Sequence, residues 1–387
     1  MKIVIASEVY PPRAGGAGWS SRALALGLRE AGHDVRVLTT SPGPDDLDGL
    51  QVARLRYQGR KRFAIPTAIA RALDSAGADV VHAQHSLSAL GALRGARAAR
   101  TAVTVRDHWP VCFWSTRISQ GALCPECGLV PMTRCVVGRV PAPGALAWSA
   151  IPYMRWDLAA KLRALGRAGA SLAVSEAIGA ELRAAGIPRV EVIPNVLHAG
   201  ETRAVAEAPP SFDLPERFLL FVGKLEANKG AHQLVPALAR AATGLPLVVL
   251  GEGTQVHGLK LQATRHEIPL LMRGWASRED VLRTMARATL LVFPSLWPEP
   301  LSRVLIEALA LGTPTAAVAT GGTEEILVDG ESGLLVRDTE ALGEAVARLA
   351  ADAALRRRIG EGARERAAAF SPERLVPRYE AAYRRLV

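Results

Sequence analysis

A chain of 387 residues with 49% apolar content is long enough to bury two separate cores. Its net charge of +10 favours anionic partners, and no helix-turn-helix, RNA-binding or zinc-finger pattern directs that charge to nucleic acid. No apolar run approaches the ~18 residues that would span a bilayer, which excludes a transmembrane helix.

Taken in order, the chain alternates short apolar runs with amphipathic ones, the pattern of a doubly wound parallel sheet. Residues 2–6 read as a first strand and are too few for a signal peptide's apolar region, so the expected location is the cytoplasm. Gly15, Gly16 and Gly18 follow in a loop before a helical pattern over 19–31. Glycines at such a joint let the backbone approach a phosphate closely. Further strands are expected at 34–39, 79–83, 102–105, 171–174 and 190–193. Arg54, Arg56, Arg60, Lys61 and Arg62 precede the apolar Phe63-Ala64-Ile65. That stretch suits either acidic headgroups at a membrane face or an ordinary solvated surface.

After the strand at 102–105 come Arg106-Asp107-His108 and then all four cysteines, Cys112, Cys124, Cys127 and Cys135. Cys124-Pro125-Glu126-Cys127 forms a Cys-x2-Cys knuckle. In a cytoplasmic chain the grouping suits a structural four-thiolate zinc site stapling a long loop; two disulfides, an iron–sulfur cluster and unligated core thiols stay open. Residues 147–167 set Trp148, Tyr153 and Trp156 among Arg155, Lys161, Arg163 and Arg167. Such a helix suits a peripheral contact at the inner membrane face, a wall of an acceptor site, or packing on the sheet. The Ala/Pro-rich stretch within 195–211 reads as a linker, giving domains at 1–197 and 212–370.

The second half restarts with strands expected at 218–223, 247–250, 270–272, 290–293, 315–319 and 334–336. Lys224 and Lys229 flank a strand-to-helix turn, where fixed positive charge suits a leaving diphosphate. The apolar run 289–293 ends at Pro294, a polar loop carries Glu299, and a helical pattern opens near Ser302 with Glu307 one to two turns in. The free amides of the helix N-terminus suit an anionic group such as a diphosphate at the carboxyl end of a parallel strand.

The run Glu-Pro-Leu-Ser-x4-Glu-Ala-x-Ala-x-Gly-x-Pro from Glu299 to Pro314 resembles the signature of the family-4 (group 1) retaining glycosyltransferases. Gly15-Gly16, Gly32 to Leu38, Gly223 to Gly230, Gly251-Glu252-Gly253 and Arg273-Gly274-Trp275 resemble further segments of that family, so the likeness covers nearly the whole chain. The resemblance implies the GT-B fold, two Rossmann-like domains facing each other across a cleft, with a C-terminal helix (371–387) crossing back to the first. It implies a nucleotide-sugar donor (UDP or GDP among the candidates), a sugar, lipid-linked or small-molecule acceptor, no nucleic acid and no catalytic metal. In that scheme Glu307 holds the ribose, Glu299 with the amides of Leu301 and Ser302 faces the donor sugar, and Lys224 and Lys229 meet the diphosphate. Gly16 and Gly251 approach the donor, and Arg273 to Trp275 mark the base. Retention proceeds by a same-face displacement in which the departing phosphate takes the acceptor's proton.

Two positions depart from the family's pattern. Lys224 stands where arginine is usual, a point charge in place of a fork. Arg106 stands where Thr-x-His-Asp would put a histidine beside the donor sugar; His108, two positions on, is read as its substitute, as an acceptor contact, or as structural. The missing histidine makes plausible a pseudo-glycosyltransferase coupling a cyclitol or amine acceptor, and a second alternative is a non-catalytic nucleotide-sugar-binding subunit.

Overall fold

The computed structural model describes residues 1–119, 122–124, 127–139 and 148–387. The chain divides into two compact units, Met1–Val196 with Pro372–Val387, and Leu197–Ser371. Among the described residues no helix is long and apolar enough to cross a membrane.

The first unit is built on β1 (Lys2–Ser7), β2 (Asp34–Thr39), β3 (Asp46–Leu47), β4 (Leu50–Arg54), β5 (Val80–Ala83) and β6 (Thr101–Val105), with β9 (Ala170–Ala173) and β10 (Val190–Val192) at its far side. A separate two-stranded ribbon joins β7 (Ile118–Ser119) to β8 (Ala122–Leu123). The main sheet runs β10-β9-β6-β5-β1-β2-β4-β3, and only the β3–β4 pair is antiparallel. Strand β1 is buried at five of its six positions and β5 and β6 throughout, as expected where helices cover both faces of a parallel sheet. The order reverses between β1 and β5, so their carboxyl ends flank the switch point where such sheets take ligands.

The second unit carries β11 (Leu219–Val222), β12 (Leu247–Leu250), β13 (Leu270–Met272), β14 (Leu290–Phe293), β15 (Thr315–Val318) and β16 (Leu334–Val336). The order β13-β12-β11-β14-β15-β16 is parallel throughout. Its reversal falls between β11 and β14. Leu219, Phe221, Leu247, Val249, Leu290 and Val292 bury one sheet face against Leu234 and Leu238 of the Ala231–Ala241 helix and Leu342 and Val346 of the Thr339–Ala351 helix. Each such side chain contributes ~1.5–3 kcal/mol relative to exposure.

Three places differ from the sequence reading. Strand β4 forms inside a stretch rich in turn residues because Val52 and Leu50 are fully covered and Arg54 anchors its end, donating to Ser41 O (2.7 Å) and Pro44 O (2.7 Å). Arg54 is therefore an internal tie, and Arg62 of the same basic run pairs with Asp157. The stretch read as a linker holds a helix, Ala199–Glu207, whose last carbonyls accept from Arg283 (to Val205, 3.3 Å) and Arg287 (to Ala206 and Glu207, 3.0 Å each). Those arginines lie some eighty residues on, so no local signal announces the helix.

The helix Pro372–Arg384 belongs to the first unit. Its Tyr383 hydroxyl lies 2.6 Å from His82 Nδ1, Tyr379 donates to Pro194 O (3.1 Å), and Glu380 meets His33 Nε2 at 2.8 Å.

Candidate active site

In the second unit the loop leaving β14 is fixed largely by backbone. Gly230, at φ +70°, sits so close to the Pro294 carbonyl that a Cβ there would overlap it. The N–H groups of Leu296 and Trp297 both donate to Asn228 O, 3.1 Å each, which binds this loop to the one leaving β11. From the other side Gly322 donates to Glu299 O at 2.6 Å. Three loops thus hold Glu299 before its side chain makes any contact. Its carboxylate, 3% exposed, accepts from Lys229 Nζ (2.5 Å) and Ser295 Oγ (2.6 Å). The Lys229 ammonium also lies 4.6 Å from the centre of the Trp297 ring, a cation–π contact. A buried carboxylate persists only when paired and hydrogen-bonded, and here both conditions are met.

The helix Arg303–Leu311 follows, with Ser302 as N-cap accepting from Leu305 N–H at 3.5 Å and Gly312 closing it at φ +70°. Leu301 and Ser302 are largely covered. Glu307 is buried, so it is no solvent-facing helix residue: its Oε1 accepts from Arg303 Nε (2.9 Å) and lies 3.5 Å from Arg278 Nε, and Arg278 also reaches Glu201 at 3.4 Å. Burial pulls the Arg303 guanidinium below its usual range and Glu307 opposes that shift.

The ends of β11, β12 and β13 are stitched together. Gly251, at φ +155°, packs on Gly223 O where any side chain would overlap, and its N–H donates to Gly274 O at 2.7 Å. Trp275 is 54% exposed, and its N–H donates to Glu252 Oε1 at 3.1 Å. Arg273 turns toward residues 212–213, over the Phe212 ring (4.8 Å) and onto Asp213 O (3.0 Å). Lys224 is exposed beside this edge. Glu299, Lys229, Lys224, Leu301, Ser302, Glu307, Gly251, Arg273 and Trp275 all belong to this unit. Reading the sequence missed Asn228, Ser295 and Arg278. Ser295 lies four residues before Glu299 and could have been found; Arg278 comes from a different helix and carries no local cue.

Gly16, Arg106, His108 and the cysteines belong to the first unit. Gly16 is exposed at the start of the helix Gly16–Glu30. Arg106 donates to Gln84 Oε1 and Asn195 Oδ1. His108 is 1% exposed, with Nδ1 2.7 Å from Glu181 Oε2, and Glu181 also pairs with Arg117. Of the readings open for His108, this packing supports the structural one.

The zinc reading of Cys112, Cys124, Cys127 and Cys135 finds no support among the described residues. The four thiols line one small cavity with Phe113, Trp114 and Met132 and are free of disulfides. Among the described residues, no three His, Cys, Asp or Glu side chains converge as a metal site. Burial raises the Cys127 thiol to about 11 and raises Cys124 and Cys135 as well, with the neighbouring thiols adding to each shift. Residues 125 and 126 of the knuckle lie outside the described residues.

Two parallel sheets of this order, with an acid–lysine pair at the second switch point, have the parts of the GT-B fold. The family "Glycosyl transferases group 1" matches residues 173–366 and "Glycosyltransferase Family 4" matches 14–199, and the chain belongs to these glycosyltransferases. It is 29% identical over 390 residues to a glycogen synthase of Mycobacterium tuberculosis, spanning 95% of this chain and 90% of the relative. Its fold is that of Anabaena HepE, solved with UDP and glucose (TM-score 0.71, 19% identity, 98% of both chains). Sucrose-phosphate synthase of Thermosynechococcus elongatus shares it too (TM-score 0.71, 23% identity, 100% and 99% of the chains).

Proposed function

We propose that this chain moves a sugar from a nucleoside-diphosphate sugar to an acceptor with retention at the anomeric carbon. The observation that carries this reading is the ion pair of buried Glu299 with the half-buried Lys229, beside the N-terminus of the Arg303–Leu311 helix, with Glu299 held by three loops. As the sugar–phosphate bond breaks, negative charge grows on the diphosphate. Lys229, Lys224 and the helix amides supply fixed positive charge there without further reorganisation. Glu299 orients the sugar, and Glu307, stiffened by Arg303 and Arg278, takes the ribose hydroxyls. The departing phosphate accepts the acceptor's proton, so positioning and charge do most of the work.

Proteins of this fold have been solved with UDP and UDP-glucose, which makes those the first ligands to test. Calorimetric titration of UDP should give a defined affinity for the natural chain and a loss of ~10-fold or more, about 1.4 kcal/mol, for Glu307→Ala. Equal affinities would sink the ribose assignment; no heat with UDP, GDP, ADP or TDP would sink the donor site itself.

A second reading, the coupling of a cyclitol or amine acceptor, rests on Arg106 standing where the family's pattern has a histidine. A peripheral membrane contact, if this chain makes one, belongs on the exposed Phe63, Trp148, Tyr153 and Trp156.

A further inference from the structure

The Lys229 ammonium has two partners, and the donor chemistry proposed above uses only one of them. Glu299 Oε1 accepts one of its three N–H groups at 2.5 Å, and the ammonium lies over the Trp297 ring, 4.6 Å from its centre. The lysine side chain is 24% exposed against 3% for Glu299, so the ammonium is the member of the pair that an incoming ligand can reach.

The ring and the lysine stem share one mount. The N–H groups of Leu296 and Trp297 donate to Asn228 O, the carbonyl just before Lys229, at 3.1 Å each. Gly230, just after it, packs on the Pro294 carbonyl where no Cβ fits. Backbone contacts on both sides of Lys229 thus set the spacing between its stem and the ring. Trp297 is half-buried and stands outside the apolar cluster that packs on the sheet, so the core does not account for its ring.

The two partners act differently on the charge they hold. A carboxylate holds an ammonium by cancelling it, and a neutral ion pair attracts a diphosphate weakly. An aromatic face holds the ammonium through its quadrupole and leaves the net positive charge in place. When the donor draws the pair apart, Glu299 toward the sugar and Lys229 toward the phosphates, the lysine loses its ionic anchor just as its charge is needed. Its four-carbon stem is flexible, and without a second anchor the ammonium would have to be ordered afresh at the phosphate.

We propose that Trp297 is a positioning residue, whose ring keeps the Lys229 ammonium aimed at the donor diphosphate as Glu299 gives up its hold. This rests on the glycosyltransferase reading above and deepens it. Trp297 itself touches neither sugar nor phosphate in this scheme; it acts through the lysine.

Lysine labelled with carbon-13 reports the contact in the full-length chain without ligand. The Lys229 ε-methylene signal, identified by its loss in Lys229→Ala, should lie upfield through the ring current and return to the ordinary lysine position in Trp297→Leu. An unshifted signal overturns the proposal. Calorimetric titration then reads the role. Trp297→Leu should weaken UDP binding by ~5-fold, Trp297→Phe should recover most of that loss, and Trp297→Leu added to Lys229→Ala should weaken it no further. Fluorinated tryptophans placed at position 297 alone keep the ring's shape and withdraw density from its face, so UDP affinity should fall stepwise with each added fluorine. A flat fluorine series, or an equal loss with and without Lys229, would make the indole a packing group only and overturn the proposal. A natural chain that shows the shifted lysine signal but binds no UDP, GDP, ADP or TDP defeats the donor reading instead, and leaves the contact without this use.

Discussion

The loops after β14 and after β6 leave the same end of a parallel sheet and carry the two most conspicuous motifs of the sequence, yet they bury their polar groups in different ways. After β14, glycine and proline fix the backbone and the side chains follow: Gly230, Pro294 and Gly322 bring Glu299 to Lys229. After β6 the side chains close on one another. His108 pairs with Glu181, Arg106 with Gln84 and Asn195, and the cysteines line a cavity wall. A motif anchored by backbone requirements keeps its meaning from chain to chain. A motif made of residue types alone depends on what packs against it.

Lys229→Ala is the sharpest way to break the first half of that contrast. It removes the fixed cation beside the leaving group and should lower turnover by ~10²–10³-fold, with a smaller effect on UDP affinity, as steady-state kinetics with UDP-glucose and calorimetry will read. Turnover within a few-fold of the natural chain would detach the pair from the chemistry.

The second half is tested by acid. His82 is fully buried between Tyr383 (2.6 Å) and Thr104 (2.7 Å), and burial, with Arg106 adding to it, lowers its pKa from 6.5 to about 3. Between those values the unfolded chain binds a proton that the folded chain refuses, so stability is complete above pH 6.5 and falls as pH drops toward 3. From this residue alone the loss is ~1.4 kcal/mol per pH unit, or about 2 kcal/mol by pH 5. Denaturant titrations at several pH values should show that slope, flattened in His82→Gln; identical slopes would mean the site takes up its proton while folded.

The smallest expected effect concerns the thiols. Cys127→Ser, and separately prolonged dialysis against a chelator, should each shift stability by less than ~0.5 kcal/mol in thermal unfolding, because among the described residues no metal site converges there. A large drop in either experiment would restore a ligating role.

Much of the fold was legible because parallel strands buried on both faces leave unbroken apolar runs, as in Leu247–Leu250 and Leu290–Phe293. Glu299 and Glu307 could be placed from the sequence because they bracket the joint between β14 and the Arg303–Leu311 helix, and Lys229 because it sits at the turn after β11. The rest lacked local cause. Arg278 reaches Glu307 from another helix, Arg283 and Arg287 finish the Ala199–Glu207 helix from far along the chain, and β4 owes its burial to β2 beside it. The spacing of Cys124 and Cys127 did place their thiols on one cavity with Cys112 and Cys135, but spacing does not record what, if anything, those thiols bind.

The return of Pro372–Arg384 to the first unit governs the order in which this protein can be completed. Domains ordinarily fold as they emerge from the ribosome, N-terminal first. Here the unit begun first waits for Pro372–Arg384, made after the whole of Leu197–Ser371, and until then the imidazole of His82 lacks the tyrosine that closes over it. A premature stop after Ser371 therefore damages the unit whose synthesis began first, and expression of that unit alone calls for grafting the helix directly after Val196.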